Sequence, residues 1–269
     1  MKLPITITEV IGRSEQGATR PFLCHADDWM AYYVKGAYAG KNSLCCEWVA
    51  SRLAKLLVEE EPLSLPPFRM AEVPTELIDA SARADIRDLG AGKAFASLLI
   101  VGGQELTWTG AQGWPEETMA MILLMDLWLQ NEDRSLSAHG GNPNLLVERL
   151  PPLPDSDPEE ALWSAHPRRE MLWVYDFNLA FDEHFDRRRL FDAHVFGGML
   201  KQWPQGFRER MEPRMRQALT QLTNIFGELP LEWLHVDGDD SLPVQLDIAR
   251  VTSVLELPFT DPENFWKLS

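Results

Sequence analysis

A chain of 269 residues that is 45% hydrophobic, with 10 tryptophans and 12 phenylalanines, is long enough to bury a sizeable core and too apolar to be disordered. Its formal net charge of −16 argues against the basic face that direct DNA or RNA binding needs, and it repels a nucleotide triphosphate unless local Lys, Arg or Mg²⁺ reverse the field. Three cysteines, Cys24, Cys45 and Cys46, are too few for a disulfide framework and lack zinc-ligand spacing, so they read as small buried hydrophobes.

The first residues, Met1 to Thr6, alternate like a strand and lack the apolar core of a signal peptide. Ile5 to Ile11 reads as a strand, Gly12 to Gly17 as a flexible turn, and Pro21–Cys24 with Trp29–Lys35 as a hairpin around Ala26-Asp27-Asp28. Asn42 or Ser43 can cap a helix running to about Leu57, and Pro66-Pro67 leads into a strand at Phe68–Val73. Residues 74–92 are mixed and helical in part, and Ala94–Val101 reads as another buried strand. Gly102-Gly103 then suits a linker, dividing the chain into an N-terminal lobe (1–103) and a helical C-terminal lobe (104–269).

Pro115, with Glu116 and Glu117, starts a helix that extends to about Gln130 and is apolar nearly all round, hence buried. Its longest apolar run, Met119 to Leu129, is interrupted by Asp126 and falls short of the ~20 residues that cross a bilayer, so no membrane association and a soluble cytoplasmic protein are expected. Leu145–Glu148 and Met171–Asp176 read as the strands of a hairpin joined by a Pro-rich acidic stretch from Leu150 to Glu160, expected to be exposed and extended. Beyond Arg187 the periodicity is helical, broken at Trp203-Pro204 and at Pro213. The tryptophans and Met119, Met121 and Met125 read as core packing. The expected fold class is α+β, a small sheet-rich lobe followed by a larger helical one.

Lys35 ends its strand on the face shared with Ala31 and Tyr33. On the next helix Ser43, Ala50, Ser51 and Ala54 surround Glu47, so this acid faces close-packed backbone; a strand lysine on phosphates paired with a helix glutamate is a required part of a kinase site. Gly36 to Ser43 is a decoy for a phosphate-binding P-loop: it is one residue short, and Asn42 stands where the Mg²⁺-binding hydroxyl is required. The turn from Gly12 to Thr19, containing Gly17, is the better cover for phosphates because it joins the first two strands.

Asn131-Glu132-Asp133-Arg134 directly follows the buried helix, which holds the Asp133 backbone while its side chain can face a cleft; Asp126 reads as a structural acid fixing that loop. Asn144 and Asp176, taken to lie on adjacent strands, offer hard oxygen ligands able to converge on one Mg²⁺. His139, in an exposed loop, reads as idle. An acid placed to take a hydroxyl proton, then an amide and a second acid placed on a metal, is the order of parts in a phosphoryl-transfer site.

Tyr32-Tyr33-Val34-Lys35, Glu47 to Leu57, Pro66-Pro67, Asn131-Glu132-Asp133-Arg134, Asn142-Pro143-Asn144-Leu145-Leu146 and Leu172-Trp173-Val174-Tyr175-Asp176, in that order, resemble the HipA-like kinase domain over about residues 5 to 185. The resemblance implies a two-lobed protein-kinase-like fold and an ATP- and Mg²⁺-dependent transfer of the γ-phosphate to a hydroxyl, expected on a Ser or Thr of a protein. It implies Lys35 on the ATP phosphates, Glu47 orienting Lys35, Asp133 as catalytic base, and Asn144 or Asn142 with Asp176 on Mg²⁺. It also admits a regulatory protein partner. Ser135–Gly141 carries extra residues relative to the family pattern, Asn178 stands where many kinases have glycine, and the phosphate-covering turn is poor in glycine. The alternatives are a pseudokinase acting as a nucleotide- or protein-binding regulatory module and a small-molecule kinase.

Overall fold

The structure is a computed structural model that describes residues 4–15, 17–58, 62–151, 169–236 and 241–268. Most of the expected Pro-rich acidic excursion therefore lies outside the described residues. The chain opens with strands β1 (Ile5–Arg13), β2 (Phe22–Ala26) and β3 (Ala31–Lys35), followed by helix α1 (Lys41–Leu57) and strands β4 (Leu63–Ser64) and β5 (Phe68–Val73). After the short helix α2 (Thr75–Ala80), strand β6 (Gly92–Leu98) completes a closed barrel in the order β1-β2-β3-β6-β5.

Period-2 alternation explains the closure. Ile5 and Ile7 of β1, Phe22 and Cys24 of β2, and Tyr32 and Val34 of β3 fill the inside with Ala94 and Ala96 of β6. The alternate face of β3 carries Lys35 outward, where it is nevertheless only 8% exposed because α1 and the segment bearing Asp176 cover it.

The Asn42 or Ser43 cap expected for α1 is corrected. Gly40, at φ +81°, is the N-cap and makes no side-chain cap hydrogen bond. Because the helix starts at Lys41, Asn42 already lies in its first turn, and its Oδ1 accepts instead from the Leu246 amide at 2.9 Å. The aromatic face of α1 meets the barrel through Trp48, edge-on to Phe68 at 5.7 Å and to Phe95 at 6.4 Å.

The second sheet was legible only in part. Its central hairpin is β10 (Leu145–Arg149) with β11 (Glu170–Val174), but the two-residue strands β4 and β7 (Gln104–Glu105) flank it in the order β4-β11-β10-β7. Helices α3 (Trp108–Ala111) and α4 (Glu116–Trp128) lead into a further two-stranded ladder, β8 (Ser135–Ser137) with β9 (Gly140–Asn142). Later helices include Arg187–Ala193, Phe207–Thr220 and Ile248–Leu255. The break expected at Pro213 is also corrected: Phe207–Thr220 continues through it, since proline tolerates a helical φ at the loss of one backbone bond, and the flanking Met211 and Met215 are buried.

The α+β class holds. One cluster of buried side chains fills the barrel, and a larger one joins α1, α4, β10, β11 and the C-terminal helices. Cys24, Cys45 and Cys46 are buried and free. Trp29 departs from the core expectation for tryptophan, standing 92% exposed at the β2–β3 turn with φ +65°. Among the described residues no helix is long and apolar enough to cross a membrane.

Candidate functional site

A cavity of about 370 Å³ lies between the barrel and the β10–β11 hairpin, within the size range of cofactor pockets. Pro66, Phe95, Leu98, Leu99 and Ile100 give it an apolar wall. Lys35, Glu47, Asn142, Asn144 and Asp176 also line it, and so do Ser14, Gly17 and Thr19 from the turn between β1 and β2. None of residues 36–43 does. Gly36 has a packing reason of its own, because a Cβ there would meet the Leu89 carbonyl oxygen at 1.9 Å.

Lys35 Nζ donates to Glu47 Oε2 at 2.7 Å and to Asp176 Oδ1 at 2.6 Å. The other Glu47 oxygen accepts from the Phe177 amide at 3.1 Å, so α1 and the segment after β11 are tied through one carboxylate. Burial opposes the Lys35 ammonium, but Asp176 and Glu47 outweigh it and raise the lysine pKa. Burial is the larger influence on Glu47 and raises its carboxyl, because the single ammonium beside it is shared with Asp176.

Asn144 and Asp176 occupy the same end of the β10–β11 hairpin, where Leu145 pairs with Val174 and the Tyr175 amide donates to the Asn144 carbonyl at 3.2 Å. The expectation that both sit on strands is corrected, by one residue for Asn144 and by two for Asp176. Each lies just off a strand end with left-handed backbone, φ +47° for Asn144 and +63° for Asp176. Asn and Asp are the non-glycine residues that best tolerate this region, and such strain is characteristic of ligand-binding turns.

Asp133 Oδ2 accepts from Asn144 Nδ2 at 3.0 Å and from Asn142 Nδ2 at 3.3 Å. Both amides thus turn their nitrogens to Asp133, leaving each Oδ1 without a protein hydrogen bond among the described residues. Asp133 is half-buried and meets the cavity lining through these two amides rather than forming part of it. Burial raises its pKa, and the Asp176 charge adds to this against Asn144, Arg134 and Lys35.

Behind these groups stands a sealed cluster. Arg134 Nε donates to Asp126 Oδ2 at 2.7 Å with both side chains wholly buried, and Arg134 Nη1 donates to the carbonyls of Asn144 at 2.6 Å and Tyr175 at 3.0 Å. Asn131 Nδ2 and His194 Nε2 complete the shell of Asp126 at 2.9 and 3.0 Å. The His194 Nδ1 accepts from the Phe196 amide, so Nε2 carries the ring proton and its N–H donates to the Asp126 carboxylate. Asp126 is therefore structural, as expected, and it acts on the end of the hairpin through Arg134. His194 carried no sequence signal, since nothing in its neighbourhood in the chain points to an acid 68 residues away.

His139 is exposed at the β8–β9 turn. Among the described residues no three His, Cys, Asp or Glu side chains form a metal-holding group, which leaves a Mg²⁺ site here to one carboxylate and amide oxygens. Mg²⁺ is held in that manner in phosphate-transfer sites, where water and substrate phosphates supply the remaining ligands. A family model described as HipA-like kinase matches residues 7–151 and 159–269, nearly the whole chain. No curated protein gives a significant match.

Proposed function

We propose a function from one premise: the chain belongs to the HipA-like kinase family. On this reading it is an ATP- and Mg²⁺-dependent phosphotransferase that moves the γ-phosphate to a Ser or Thr hydroxyl of a protein. Residues 1–103 would serve nucleotide binding and 104–269 the acceptor side.

The observation that carries the reading is charge. Among the described residues lining the cavity a single cation, Lys35, faces the largely buried carboxylates of Glu47 and Asp176, while the walls beside them are apolar. A buried carboxylate without its own cation is costly, so such a site is completed by added positive charge. Mg²⁺ held by Asp176 with the Asn144 oxygen, or that of Asn142, would supply that charge and neutralise phosphate oxygens. The apolar wall suits an adenine ring, and the turn bearing Gly17 suits the phosphates.

In the proposed reaction Lys35 holds the α- and β-phosphates, and Glu47 holds Lys35. The acceptor hydroxyl gives its proton to Asp133 as its oxygen bonds to Pγ; the bond from Pγ to the bridging oxygen breaks and its electron pair leaves on ADP. A base must be ionised to act, and the raised pKa of Asp133 makes it a stronger one at neutral pH than an ordinary aspartate.

ATP with Mg²⁺ is expected to raise the melting temperature of the wild type, and Lys35→Ala to weaken the shift, because a ligand of the folded state stabilises it by mass action. Transfer of labelled γ-phosphate to the protein itself or to proteins of a cell extract is the activity assay. Binding without any transfer would replace the kinase by a pseudokinase, a reading that the glycine-poor turn favours. No binding at all would remove both.

A further inference from the structure

We infer that Glu228, in the turn after the helix Leu222–Phe226, is a positioning residue for the Lys35–Glu47 pair, acting through the back of α1; this rests on the kinase reading of that pair. The side chain of Glu228 is only 10% exposed, and both its oxygens are engaged. Oε2 accepts from the Trp48 indole at 3.0 Å, and Oε1 accepts from Arg52 Nη2 at 2.8 Å.

Trp48 and Arg52 stand four residues apart and share one face of α1, whereas Glu47 lies on another. The same gripped face continues toward the N-terminus of α1. Cys45 Sγ donates to the Trp233 carbonyl at 3.5 Å, and Asn42 Oδ1 accepts from the Leu246 amide. The C-terminal part of the chain therefore holds α1 from behind over several turns while Glu47 reaches forward to Lys35.

A second path runs from Glu228 to the same lysine. Trp48, fixed by Glu228, packs edge-on against Phe95, and Phe95 is the cross-strand partner of Lys35. Phe95 also lines the cavity. One carboxylate thus restrains both the helix that carries Glu47 and the ring beside Lys35. A helix held only by apolar packing can shift by fractions of an ångström at small cost, whereas a nearly buried carboxylate with a charged partner has a steep directional preference.

Glu228→Ala, Glu228→Gln and the control Arg214→Ala test this. Arg214 bonds the Leu57 carbonyl at the far end of α1, so its loss perturbs the same helix away from Glu47. The first readout is hydrogen exchange of the Phe177 amide, whose acceptor is Glu47 itself, and it requires no nucleotide. After correction for global stability, Glu228→Ala should exchange about tenfold faster at Phe177, with Glu228→Gln nearer wild type and Arg214→Ala unchanged. The second readout is kinetic: Glu228→Ala should lower kcat about tenfold at saturating ATP, with a smaller change in KM, in protein shown to be folded. Unchanged Phe177 exchange in Glu228→Ala, or equal acceleration in Arg214→Ala, overturns the inference. A wild type that binds no nucleotide would instead defeat the kinase reading, and Phe177 exchange would still decide whether Glu228 positions Glu47.

Discussion

Two ionic clusters lie back to back in this protein and solve the burial of charge in opposite ways. In the sealed one, Asp126 has two oxygens, both engaged by Arg134, Asn131 and His194; burial works against its charge, but Arg134 and His194 prevail and lower its pKa. In the open one, Lys35 is the one cation bonded to Glu47 and Asp176 among the described residues, the Phe177 amide adding only a neutral donor to Glu47, and the carboxyls of Glu47 and Asp133 are raised. The sealed cluster has its charges compensated as it stands, although the Asn131 Oδ1 within it finds no hydrogen-bond partner among the described residues. The open one is short of positive charge on the side that faces the cavity, and on the proposed reading that is the charge Mg²⁺ would supply. Arg134 joins them, since it is held by Asp126 and in turn holds the carbonyls at the hairpin end that presents Asn144 and Asp176.

The largest expected effect falls on the sealed side. Arg134→Ala leaves Asp126 buried without its cation and should destabilise the fold by about 3–5 kcal/mol, measured by urea unfolding. A loss under about 1 kcal/mol would mean that water reaches Asp126 and that the two clusters differ less than their geometry indicates.

Asp133→Asn should act the other way, leaving stability and ATP affinity near wild type while phosphotransfer falls by ~10² or more. In the wild type the acid limb of kcat should lie above the ordinary aspartate value of 3.8, because the base must lose a proton that burial makes it hold. Transfer undiminished by the substitution would leave the kinase standing without this base.

Between these lies a pH effect belonging to the sealed cluster. His194 is buried, and burial lowers its pKa below the ordinary 6.5. As pH falls through 6.5 the unfolded chain binds a proton that the folded chain refuses, so stability should decline on the acid side by at most about 1.4 kcal/mol per pH unit. In His194→Gln that part of the slope should vanish. Equal acid-side slopes in wild type and His194→Gln would show that His194 is not held neutral.

The smallest stability change is expected on the open side. Asp176→Asn removes a carboxylate from the undercompensated cluster and keeps a residue suited to φ +63°, so apo stability should stay within about 1 kcal/mol of wild type or rise. Mg²⁺-dependent nucleotide binding should nonetheless be largely lost. Asn142→Ala and Asn144→Ala, titrated with Mg²⁺ and ATP in parallel, separate the two amides, with the larger loss expected at Asn144. If all three variants bind nucleotide like wild type, the metal assignment fails.

Elements with a clean period were legible from the sequence: the alternation of Ile5, Ile7, Tyr32 and Val34, the apolar α4 after Pro115, and the β10–β11 hairpin all follow from local side-chain chemistry. The pairing of Lys35 with Glu47 was legible on other grounds, from the kinase-site pattern of a strand lysine followed by a glutamate on the next helix, with small residues around Glu47 letting that helix approach the sheet. Two-residue strands such as β4 and β7 have no period to read, and they exist only because β10 and β11 offer edges to pair with. The left-handed backbone at Asn144 and Asp176, the contact of His194 with Asp126, and the grip of Glu228 on Trp48 join residues far apart in the chain. Sequence alone determined which groups could carry charge and which faces had to be buried; tertiary packing decided which charges were compensated and which were left facing the cavity, because the energy of a buried charge depends on neighbours that only the fold brings within hydrogen-bond distance.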